Sequence, residues 1–124
     1  MTGRLLLGLG SLFRLAVGAG YLVMPEAMAR HELAPDIRSH PDGRMSARGF
    51  GGLHVGVALG TLGAAARNRG CRELAMLNLA CALGDTAATL LEKRDRGAWE
   101  SVVLGSVPVD VVDVVWWANA LRYV

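Results

Sequence analysis

Apolar residues in this chain fall into four long blocks, residues 5–24, 49–66, 73–91 and 101–121, separated by short polar stretches. Each block approaches the roughly 20 residues that a helix needs to cross about 30 Å of hydrocarbon. The connecting stretches, 25–48, 67–72 and 92–100, carry nearly all the charge. A water-soluble helix bundle would instead return a charge to each helix every three or four residues. Residues 49–66 contain no Lys, Arg, Asp or Glu, and residues 101–121 contain only Asp110 and Asp113. The pattern predicts an all-α, integral membrane four-helix bundle, a single domain over residues 1–124. An even number of spans places both termini on one side and the first and third loops on the other.

The loops add detail. Residues 67–72 read as a tight basic hairpin, Pro41-Asp42-Gly43 as a turn, and residues 26–33 as a short amphipathic turn. Trp99 and Tyr123 fall where an aromatic belt is expected, whereas Trp116 and Trp117 sit deeper, toward a pocket or a neighbouring helix. Arg4 before an apolar run resembles the start of a signal peptide. However, Arg14 interrupts that run and no small-x-small site follows, so a retained first helix is expected. Positive charge is spread over both sides, and orientation is left open.

Composition sharpens the picture at three points. Apolar residues make up 52% and charged residues 19%, against a soluble average of about 25% charged. The 16 glycines include a row, Gly52, Gly56 and Gly60, four apart on one helix face. Such rows let helices approach closely, and this one is expected to pack within the bundle, with a homodimer face as the alternative. A formal charge of +2 is too small to imply nucleic acid as a partner, and no basic run is interleaved with aromatics, so none is expected. Cys71 and Cys81, on one helix, would stand about 15 Å apart, too far for a disulfide. No Cys/His metal spacing and no phosphate loop occur, so no metal or other cofactor is expected.

Ionisable residues inside membrane helices are costly and mark functional sites by default. The first block carries Arg14, the second His54, the third Asp85, and the fourth Asp110 and Asp113. All five lie within about 5 Å of their block midpoints at ~1.5 Å per residue, which suggests one shared midplane pocket. Polar stripes at helical spacing extend it: Arg14 with Tyr21, Asn78 with Asp85, and Asp110, Asp113 and Trp117. Two aspartates at a helix centre cost roughly 5–7 kcal/mol on the insertion scale, and eight valines return only about 2.5–5. The fourth helix therefore needs partners. Arg14 is the one fixed cation against three carboxylates, and Asp85 is its expected partner.

At Arg14-xxx-Gly18, Pro25-Glu26, Arg48-Gly49-Phe50-Gly51-Gly52 and Gly84-Asp85, the chain resembles a group of small bacterial and fungal four-helix membrane proteins, distantly DoxX-like. The resemblance covers most of the chain through loose motifs. It implies the four-span fold, and it marks Arg14, Glu26, Arg48 and Asp85 as recurrent polar positions; the expected location is the bacterial inner membrane, as a multi-pass protein. It implies no established reaction, and Asp110 and Asp113 lie outside it.

The expected function is acid–base chemistry on a lipophilic small molecule drawn from the lipid bilayer: isomerisation, cyclisation or hydrolytic epoxide opening. Asp113 or Asp110 would be the acid, Asp85 or His54 the base, and Arg14 would hold Asp85 ionised. Tyr21, Asn78, Trp116, Trp117, Glu26 and Arg48 would bind the substrate. A small proton-coupled transporter or ligand-binding membrane protein, and an accessory subunit of a larger membrane complex, are the competing readings.

Overall fold

The computed structural model describes residues 2–31, 35–96 and 107–124, and among them there is helix and turn but no strand. Four long helices dominate: α1 (Thr2–Val23), α4 (Pro41–Arg67), α5 (Cys71–Arg96) and α6 (Val107–Arg122). Between α1 and α4 lie the short α2 (Pro25–Met28), a 3-10 turn at Ala29–His31 and α3 (Pro35–Ser39). Helix α1 packs against α4 on one side and α6 on the other, α5 packs against α6, and α4 touches α5. The chain ends meet: a Cβ on Gly3 would run into the backbone of Tyr123. Trp99 lies outside the described residues.

Three helices are long and apolar enough to cross a membrane: α1, α4 and the part of α5 from Cys71 to Leu91. Helix α6 has 16 residues, about 24 Å at ~1.5 Å per residue, and residues 101–106 of the fourth block lie outside the described residues.

One expected turn is a helix start instead. Pro41-Asp42-Gly43 opens α4, which runs for 27 residues. The physical reason is a good N-terminus. Pro41 occupies a first-turn position where its missing N–H costs nothing, His40 Nδ1 accepts from the Asp42 N–H at 3.3 Å, and Asp42 offsets the helix dipole. The basic hairpin is present as expected. Asn68 takes a left-handed conformation (φ 52) at the end of α4, Gly70 follows at φ 68, and α5 begins at Cys71.

The packing is inside-out relative to a soluble bundle. The largest fully buried side chains are Trp117, Leu7, Asn78, Thr61 and Ser11, three of them polar. Leu9, Phe13, Leu53, Leu59, Leu77, Leu83 and Val112 are all exposed. Water would penalise that surface, and hydrocarbon would not.

The glycine row on α4 is a second correction. A Cβ at Gly52, Gly56 or Gly60 would meet nothing within 4 Å, so the row faces away from the described helices and packs against none of them. Close packing is done by other glycines. A Cβ on Gly18 of α1 would stand 2.7 Å from the Gly51 carbonyl oxygen of α4, and one on Gly51 would stand 2.7 Å from the Gly18 oxygen. Helices α1 and α4 therefore touch backbone to backbone, which small residues alone permit.

Candidate functional site

Four of the five ionisable residues singled out in the apolar blocks form two pairs. On the α1–α6 seam, Arg14 Nη2 lies 2.5 Å from Asp113 Oδ2. Trp117, one turn along α6, donates its indole N–H to Asp113 Oδ1 at 2.8 Å, and the Arg14 guanidinium lies 5.7 Å from the Trp117 ring centroid. The Asp113–Trp117 contact is the i, i+4 relation read from the stripe. Arg14 is buried, so both carboxylate oxygens of Asp113 have a charged or polar donor and the guanidinium has an anion and an aromatic face.

On the α4–α5 seam, His54 Nε2 stands 3.7 Å from Asp85 Oδ2, too far for a hydrogen bond. The other ring nitrogen, Nδ1, is 3.2 Å from the Phe50 carbonyl oxygen, to which it donates, and the ring lies 4.1 Å from that of Phe50. Farther along the same seam, buried Asn78 donates to Thr61 Oγ1 at 2.8 Å, while Thr61 donates to the Val57 carbonyl. Asn78 Oδ1 and Ser11 Oγ have no hydrogen-bond partner among the described residues.

Arg14 therefore pairs with Asp113 and not with Asp85, correcting the expected pairing. Depth along the sequence is similar for the two acids, but α1 packs against α6, which carries Asp113, and only slightly against α5, which carries Asp85. Gly10, one turn before Arg14, allows this. A Cβ there would stand 2.5 Å from Trp116 Nε1 and 2.9 Å from the Trp117 ring. The charges of Arg14 and Asp113 both act on His54 and Asp85, so the pairs share one electrostatic environment.

A pocket of about 460 Å³ opens beside the first pair, between α1 and α6. Leu9, Phe13, Val109 and Val112 supply apolar wall, Trp116 an aromatic one, and Asp113 the carboxylate. Trp116 is anchored by its indole N–H to the Leu6 carbonyl at 3.1 Å. Leu9, Phe13, Val109 and Val112 are more than half or nearly half exposed on the outer surface, so the pocket opens sideways from the helices.

The other expected site residues are dispersed. Tyr21 is buried against Phe50, ring centroids 5.0 Å apart, in a small second core with Ala29 and Ala47. Asn78 serves the α4–α5 seam, and Asp110 is half-buried on α6 outside the pocket wall. Trp117 is fully buried behind Asp113. Glu26 and Arg48 line a separate pocket at the α1–α4 junction, and His54 and Asp85 do not reach the α1–α6 pocket. The wall residues Leu9, Phe13, Val109 and Val112 carried no sequence signal, since apolar residues fill every block. No group of three or more His, Cys, Asp or Glu that could hold a metal occurs among the described residues.

Comparison with known proteins returns no match: no family model fits the sequence, and no curated protein or solved structure is similar to the chain.

Proposed function

We propose that this chain is a four-helix integral membrane protein that takes a lipophilic small molecule sideways from the bilayer and performs proton-transfer chemistry on it. The observation that carries this reading is the α1–α6 pocket: a largely apolar recess with one carboxylate, Asp113, in its wall. Lipid-facing apolar residues at its mouth favour entry of a molecule already dissolved in hydrocarbon. Asp113 is the group that exchanges a proton with the substrate. Arg14 and Trp117 orient it, which is the preorganisation that acid–base catalysis needs. The reactions that fit are isomerisation, cyclisation and hydrolytic epoxide opening, none of which calls for a cofactor. His54 and Asp85 act as a second proton-holding pair, coupled to the first through charge rather than contact.

A second reading, a proton-coupled carrier working as a dimer, is favoured by the outward Gly52, Gly56, Gly60 row, which leaves α4 open to a second copy.

Two variants test the first reading. Val112→Trp fills the pocket from its rim, and Asp113→Asn removes the titrating proton at nearly constant side-chain size, at a cost in stability because Arg14 loses its anion. Cells producing each form would be extracted into organic solvent and the lipophilic fraction compared by mass spectrometry. The expected outcome is a product made by the native chain and missing from both variants, unchanged in mass for isomerisation or cyclisation and heavier by one water for epoxide opening. Identical extracts from all three, with each protein present in the membrane, would sink the enzymatic reading.

A further inference from the structure

A second pocket, about 490 Å³, lies where α1 gives way to α2 and α4 comes alongside. Its wall combines Val23, Met24 and Pro25 with Glu26, Arg44 and Arg48. Arg48 donates its Nε–H to the Leu22 carbonyl at 3.2 Å, covering an end-of-helix oxygen that α1 leaves without an internal donor. Arg44 Nη1 lies 3.1 Å from Glu26 Oε1. A guanidinium carries five N–H donors in a planar fork, and each of these contacts engages one of them. Among the described residues the pocket thus holds two fixed cations against one carboxylate, with donor capacity well beyond what those residues take up.

Its depth is equally informative. Helix α4 spans 27 residues, about 40 Å at ~1.5 Å per residue, which exceeds the ~30 Å hydrocarbon core. Its uncharged stretch begins directly after Arg48, so Arg44 and Arg48 fall in the turns that project beyond the core. Val23 and Met24, both exposed, mark the apolar edge at the same level. Cations beside an apolar ledge at a membrane boundary match a phosphate oxyanion carried at the head of an acyl chain.

We propose that the Arg44–Arg48 pocket binds a phosphate oxyanion, with Glu26 as the internal anion that the ligand competes against for Arg44. The shared chemistry is a phosphate group, borne by a lipid headgroup or free in solution. This site is separate from the α1–α6 pocket and does not depend on the reaction proposed for it.

The test uses the full chain in neutral-detergent micelles, titrated with phosphatidylglycerol or with phosphatidylcholine and read by native mass spectrometry. The native chain is expected to retain phosphatidylglycerol in preference to phosphatidylcholine. Arg44→Gln and Arg48→Gln should each weaken that binding about fivefold, the worth of one cation near an anionic headgroup. Glu26→Gln should strengthen it, a gain that misfolding cannot mimic. Arg122→Gln, at the far end of α6, should leave it unchanged. Inorganic phosphate then separates the sources: displacement of the lipid supports a site that also takes the free anion, and persistence of the lipid supports a headgroup site. Unchanged affinity in Arg44→Gln together with no gain in Glu26→Gln would overturn the proposal.

Discussion

The interfaces of α1 and the interface between α4 and α5 use opposite packing strategies. Where α1 meets α4 and α6, glycines bring the helices together: Gly18 and Gly51 place backbone on backbone, and Gly10 admits Trp116 and Trp117. The ion pair on that side is closed, 2.5 Å between Arg14 and Asp113, with side-chain exposures of 2% and 22%. Where α4 meets α5, contact is made by side chains, and the corresponding pair stays open. His54 and Asp85 stand 3.7 Å apart, exposed to 12% and 35%. Helix spacing therefore decides whether opposite charges at one depth become a bonded pair or only neighbours. A bonded buried pair is a commitment, because removing one partner strands the other in low dielectric. An open pair makes no such commitment, because neither member depends on a direct bond to the other.

The largest expected effect breaks the tight seam. Arg14→Gln should destabilise the protein by about 3–5 kcal/mol, the cost of leaving a buried charge without its partner. A double-mutant cycle with Asp113→Asn, followed by thermal unfolding in detergent, measures the coupling. A coupling near zero would mean that Arg14 and Asp113 are not bonded in the native protein. The same cycle between Arg14 and Asp85 should give much less.

Next comes the glycine contrast. Gly18→Ala must push α1 from α4, at a cost of about 1–3 kcal/mol for overpacking. Gly56→Ala adds a methyl group in open space and removes helix-interior glycine, so it should be neutral or stabilising by up to about 1 kcal/mol. Equal losses at both positions would falsify the assignment of which glycines carry the packing. Mild harm at Gly56 confined to an oligomer would instead mark a contact with a second copy.

Smaller still is Asn78→Leu, which severs the bond to Thr61 on the loose seam. Side-chain hydrogen bonds between membrane helices are worth about 0.6 kcal/mol on average and rarely more than 1.7, so a loss near 1 kcal/mol is expected from unfolding curves. Last is the open pair itself. A cycle between His54→Gln and Asp85→Asn should show under about 1 kcal/mol of coupling, as for partly exposed charges that do not touch. A value matching that of Arg14 with Asp113 would erase the distinction between the seams.

Much of this was legible from one sequence, and for identifiable reasons. Helix existence follows from block length and from the scarcity of charge, which depend on composition alone. Residues 49–66, without one charged side chain, could not have formed a water-facing helix. The polar stripes were legible because a helix repeats every 3.6 residues, and so Asp113 and Trp117 share a face and a hydrogen bond. Turn chemistry failed once: Pro41-Asp42-Gly43 suits a turn and a helix N-terminus equally well, and the cap from His40 decides between them.

Depth, too, is a one-dimensional property. Counting from block midpoints put Arg14, His54, Asp85, Asp110 and Asp113 at one level, and four of them form two interhelical pairs. Partner choice is not one-dimensional. Which acid meets Arg14 depends on the rotation of each helix about its axis and on which helices are neighbours, and no single helix encodes either quantity. The same holds for the glycines. The row at Gly52, Gly56 and Gly60 has the spacing of a packing face, yet it points outward, while Gly18 and Gly51, on different helices, make the contact. The sequence by itself determined the long helices and their apolar exterior, because those depend on composition and local periodicity. Tertiary structure alone decided the pairing of Arg14 with Asp113, the gap between His54 and Asp85, and the pocket at the α1–α6 seam, because each is a relation between surfaces far apart in the chain.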